Sequence, residues 1–164
     1  MRFVTLTEAH RREFATFACA SNFKCQLPVE REIQRKLAGR LRHTGTFECV
    51  GLRDGDDLVA LAHFGPGEER GSWAIFIVAV RSGRQDEGLG RILLESLLAE
   101  LQQRDGVTYA YWKVHEDNRY SHRLSRSVGA DVDAGARLRK HVCYAVQLGP
   151  ISSPHIESDE MGNA

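Results

Sequence analysis

The sequence predicts a single mixed α/β domain, a central sheet of about seven strands flanked by four helices. Three observations predict it. The run Ser72 to Val80 is almost continuously apolar, as a strand covered on both faces in the middle of a sheet must be. A glycine-containing turn follows directly, and then Leu89, Ile92, Leu93, Leu97, Leu98 and Leu101 recur at helical spacing. Around this pair stand shorter strand-like and helix-like segments in the order β-α-α-β-β-β-α-β-α-β-β, and 164 residues suit one domain with its own core.

The elements follow in order. Phe3 to Leu6 is a strand, and Thr7 can cap a helix from Glu8 to about Ala20. Pro28 suits the first position of a second helix, in which Ile33, Leu37 and Leu41 make one apolar face. Its remaining face carries Arg31, Arg35, Lys36, Arg40 and Arg42 and reads as solvated. Phe47 to Leu52 and Leu58 to Phe64 flank Asp54-Gly55-Asp56-Asp57, a hairpin signal. After the central strand, Gly88 to Arg104 is the best helix, ended by Asp105-Gly106. Tyr109 to Val114 is a strand, Asp117-Asn118 caps a helix reaching about Val128, and Ala130 to Asp133 and His141 to Leu148 are the last strands. The domain thus spans 1–149. Residues 150–164, with the acidic run Glu157 to Glu160, read as a disordered tail.

Charge and cysteine usage narrow the function. Lys plus Arg equals Asp plus Glu at 22 each, so no global field draws nucleic acid or an anionic membrane, and any anion site must be local. Cys19, Cys25, Cys49 and Cys143 form no C-x-x-C pair and match no zinc spacing. Cys49 and Cys143 sit in apolar runs and read as buried free thiols, which suit a reducing compartment. The start, Met1 to Leu6, lacks a signal-peptide pattern, and no run approaches the ~20 apolar residues of a membrane span. The expectation is a cytoplasmic protein without nucleic acid, membrane or metal partners.

The chemistry concentrates in Arg81-Ser82-Gly83-Arg84-Gln85-Asp86-Glu87-Gly88-Leu89-Gly90-Arg91, between the central strand and the leucine-rich helix. Glycines let backbone approach a ligand, and the first turn of a helix offers unpartnered N–H groups and the positive end of a dipole, which together suit a phosphate. Gly83 and Gly88 have the Walker spacing, but Leu89-Gly90 stands where that loop needs Lys and Ser or Thr. A Rossmann turn would need a third glycine at Leu93. His115-Glu116 would need a second His at Arg119 to make a zinc helix.

The pattern that fits is Gln/Arg-x-x-Gly-x-Gly/Ala, here Gln85-Asp86-Glu87-Gly88-Leu89-Gly90. It resembles the acyl-CoA pyrophosphate loop of the GNAT superfamily of N-acetyltransferases. Val114-His115-Glu116-Asp117-Asn118, followed by Leu124 and Val128-Gly129-Ala130, is similar to that family's later region. The resemblance spans residues 3 to 148 and is specific over 75 to 130.

The resemblance implies a sheet splayed between its fourth and fifth strands, with the pantetheine arm of acetyl-CoA in the gap and a frequent tendency to homodimers. Carried over, Val78 and Val80 supply backbone groups to that arm. Gln85, Asp86, Glu87, Gly88, Leu89, Gly90 and Arg91 surround the pyrophosphate, and Asn118 faces the arm from the other side. The implied reaction is direct attack of an amine, from a small molecule or a peptide, on the thioester. A backbone N–H stabilises the oxyanion, a base takes the ammonium proton, and an acid protonates the thiolate.

Three departures stand out. Asp86 and Glu87 put carboxylates beside the expected anion, Ser125 occupies the family's tyrosine position, and the central strand carries no Asp or Glu. The candidate proton-transfer residues are therefore His115, just past a strand, His63, near the end of another, and Ser125. Tyr120, five residues before Ser125, is expected to point elsewhere on the helix. The alternative is a non-catalytic acyl-CoA-binding or interaction module on the same fold.

Overall fold

The computed structural model describes residues 1–10, 12–13, 16–18, 47–135 and 139–149. The second predicted helix, part of the first and the C-terminal tail lie outside the described residues. Within them the chain forms β1 (Arg2–Leu6), a 3-10 turn (Glu8–His10), β2 (Glu48–Asp54), β3 (Asp57–Pro66), β4 (Ser72–Val80), α1 (Leu89–Gln102), β5 (Tyr109–His115), α2 (Arg119–Ser127), β6 (Asp131–Val132) and β7 (His141–Gln147). The strands make one seven-stranded sheet in the order β1-β2-β3-β4-β5-β7-β6, mixed because β4 and β5 run parallel and every other pair antiparallel.

Local chemistry explains the joints. Asp54 pairs with Asp57, leaving a two-residue loop whose first position is Gly55 at φ 60°, as a tight II′-like hairpin turn requires. Thr7, expected as a helix cap, instead meets the His10 ring: its N–H donates to His10 Nδ1 at 3.0 Å. Asn118 caps α2, its side-chain oxygen accepting from Ser121 N–H at 3.1 Å.

Each face of the sheet buries its own apolar set. Leu89, Leu93, Leu94, Leu97, Leu98 and Leu101 press α1 onto Val50, Leu52, Ala60, Ala62 and Phe64, while Leu6, Phe17, Cys49, Leu58 and Leu61 form a second cluster. Cys49 and Cys143 are buried free thiols, and burial pushes the Cys49 thiol up to about 12. Beyond α1, Arg104 ties its end to the start of β2. The guanidinium donates to Glu48 at 2.6 and 2.8 Å and to Glu100 at 2.6 Å, and lies 4.7 Å from the Trp73 ring centroid. Among the described residues no helix is long and apolar enough to cross a membrane.

Candidate functional site

The centre of the sheet is open at one end. β4 and β5 pair only through Ser72↔Tyr109, Trp73↔Ala110 and Ala74↔Tyr111. Beyond Ala74 the two strands diverge, and β4 continues to Val80 bonded to β3 alone. Arg81 N–H donates to Val59 O at 2.8 Å, on the β3 side. Because backbone groups alternate sides along a strand, the N–H and C=O of Val80 and Val78 point the opposite way, into the gap.

The gap leads to the start of α1. Gly88 is the N-cap at φ 75°, with no side-chain cap, and the first turn of α1 carries no acidic residue. The first intrahelical bond runs from Ile92 N–H to Gly88 O at 3.1 Å, so the preceding amides form an uncapped donor cluster. The loop before it is held by its own atoms. Gln85 donates through Nε2 to Arg81 O at 3.1 Å and accepts from Gly83 N–H at 3.1 Å, so its amide braces the turn at both ends. Gly83 at φ 86°, Asp86 at φ 64° and Gly88 take left-handed backbone in sequence.

A cleft of about 290 Å³ joins these parts. One wall is Val78, Val80, Gln85, Asp86, Gly88, Leu89, Gly90 and Arg91, and the other is α2 with Asn118, Tyr120, Ser121, Arg123, Leu124 and Ser127. Gly90 stands between the walls. A Cβ there would lie 3.5 Å from Leu124 Cδ2 and 3.6 Å from Val80 Cγ2, an ordinary contact.

The two loop carboxylates behave differently. Glu87 is outside the lining and accepts from Arg84 Nε at 2.7 Å, while Asp54 accepts from Arg84 Nη2 at 3.0 Å. The bond to Arg84 holds the Glu87 carboxyl below its ordinary range, and the two carboxylates raise Arg84. Asp86 lines the cleft.

The three proton-transfer candidates stand apart from the lining. His63 lies within β3, 5% exposed, with its ring against Phe47 and Phe76 at centroid distances of 5.7 and 5.4 Å. His115 ends β5, edge-on to His141 at 5.2 Å, and its Nδ1 accepts from Asp117 N–H at 3.3 Å. Ser125 is 1% exposed, accepts from Trp112 Nε1 at 2.8 Å and donates to Ser121 O at 2.8 Å. Its proton is committed inside the core. Tyr120, on a different side of the helix from Ser125, lines the cleft and is 52% exposed. Residues 120, 124 and 127 recur at helical spacing on one face of α2, whereas 125 falls on the face turned to Trp112. That helical arithmetic was available in the sequence; the inward turn of Ser125 was not, because it depends on Trp112.

Comparison with known proteins agrees with this geometry. A family model described as the acetyltransferase (GNAT) family matches residues 6–130, and the chain belongs to that family. No curated protein matches it. Among solved structures, it is similar to a GNAT-family protein from Desulfovibrio desulfuricans, with TM-score 0.72, 19% identity, and coverage of 90% of this chain and 99% of that one. The ribosomal-protein-S18-alanine N-acetyltransferase of Escherichia coli superposes with TM-score 0.68 at 20% identity, over 94% and 97% of the two chains. A PaiA N-acetyltransferase of Thermoplasma acidophilum, solved with coenzyme A, gives TM-score 0.68 at 10% identity over 90% and 99%. At these identities the structural likeness establishes the fold.

Proposed function

We propose that the protein is a cytoplasmic N-acetyltransferase that takes acetyl-CoA as donor and transfers the acetyl group to an amine by direct attack. One observation carries the reading: the β4–β5 ladder stops after three rungs, and the gap opens onto the uncapped first turn of α1. A diphosphate fits the donor cluster of Gly88, Leu89, Gly90 and Arg91, and an extended arm fits beside Val78 and Val80. The amine attacks the thioester carbonyl. A β4 amide donates to the developing oxyanion, the C–S bond breaks, and the thiolate takes a proton.

Tyr120 replaces Ser125 as the candidate acid. It is the only phenol in the cleft lining among the described residues, and its hydroxyl can donate a proton to a departing thiolate. Neither His63 nor His115 lines the cleft, so the proton shed by the attacking nitrogen is assigned to water.

Thiol release from acetyl-CoA over a panel of amines and peptides tests the reading. Gly90→Asp puts a carboxylate between the cleft walls and should weaken CoA binding at least about tenfold, whereas Gly90→Ala should bind nearly as the parent does. Equal affinities for all three proteins would refute the loop assignment. That no histidine lines the cleft among the described residues favours one second reading, an acyl-CoA-binding module without turnover. Calorimetric binding with no thiol release over the whole panel would establish it.

A further inference from the structure

The formal charges of the cleft are unevenly paired. Three arginines line it: Arg84, Arg91 and Arg123. Arg84 is held by Glu87 and Asp54, and Arg91 donates to Glu95 at 2.7 Å. Arg123 makes no ion pair among the described residues, and its helix, Arg119–Ser127, contains no Asp or Glu to neutralise it. Arg123 therefore places a positive charge without an ion-pair partner among the described residues on the wall across from the α1 amide cluster, while the one lining carboxylate, Asp86, stands on the loop side. The two walls offer different recognition. The amide cluster carries no formal charge and donates along the helix axis, which suits a diphosphate. A guanidinium suits a compact phosphomonoester dianion.

We infer that Arg123 forms a second anion subsite, specific for the 3′-phosphate of the coenzyme, so that the cleft discriminates coenzyme A from its 3′-dephospho form. The inference rests on the acyl-CoA reading of the cleft and adds a specificity determinant to it. Arg126 provides an internal control: it carries the same charge on the same helix, is exposed, and lies outside the lining.

The experiment measures dissociation constants of coenzyme A and 3′-dephospho-coenzyme A by calorimetry, for the parent protein, Arg123→Gln, Arg123→Lys and Arg126→Gln, with melting temperatures to verify folding. The parent should prefer coenzyme A about fivefold at low salt, and the preference should shrink as ionic strength rises. Arg123→Gln should abolish the preference while leaving affinity for the dephospho form unchanged, Arg123→Lys should keep part of it, and Arg126→Gln all of it. A preference that survives Arg123→Gln, or an equal loss for both ligands, overturns the inference and leaves the acyl-CoA reading standing. Failure of the parent to bind either ligand overturns both.

Discussion

At Asp86 backbone and charge make opposing demands. Its φ of 64° is left-handed, where Asp and Asn are tolerated better than most residues. Its carboxylate lines the cleft proposed to take the coenzyme's phosphates. Asp86→Asn keeps the backbone tolerance and removes the charge. Coenzyme A should then bind about two- to fivefold more tightly at low salt, with melting temperature unchanged, and the gain should fade at high salt. Calorimetry at two ionic strengths checks this. Glu87 needs no such relief, because Arg84 already neutralises it. The sequence placed both acids beside the anion but could not separate them, since the separation depends on Asp54 holding Arg84 from another hairpin.

Along α2 the structure places Ser125 and Tyr120 on different faces, and the proposed acid moves from the first to the second. Ser125 is a packing hydroxyl and Tyr120 a cleft hydroxyl. Ser125→Ala leaves the buried Trp112 N–H without its acceptor and should cost about 1–3 kcal/mol of stability, read by denaturant titration, without lowering turnover of the folded protein. Tyr120→Phe should do the reverse, lowering kcat with stability intact. If Ser125→Ala abolished turnover at full stability, moving the proposed acid to Tyr120 would be wrong. The elements themselves were legible wherever periodicity was strong. The central strand was expected over Ser72 to Val80 and forms there, and α1 fills Leu89–Gln102 within the expected Gly88 to Arg104. What escaped is side-chain direction set by partners distant in sequence. His63, expected near a strand end, is deep within β3 because the strand runs on to Pro66. The full cover expected for β4 also fails at Phe76, which is 47% exposed just past the last rung to β5.

At the scale of the whole molecule, the order of strands divides the sheet by chain half: β1 to β4 come from the first part, and β5, β7 and β6 from the second. Among the described residues they are joined by three rungs, the bond from Thr108 N–H to Gly71 O at 2.8 Å, the bond from the Tyr109 hydroxyl to Glu69 at 2.7 Å and the packing under α1. The connection between the halves passes through the exposed turn Asp105-Gly106. Severing the chain there leaves two pieces whose shared boundary is the proposed ligand channel. Co-expressed as 1–105 and 106–164, they should recombine weakly alone and firmly with acetyl-CoA present, because a molecule touching both sides favours the joined state by mass action. The open end of the sheet then acts as a ligand-dependent fastener, readable as fluorescence from a reporter divided between the pieces.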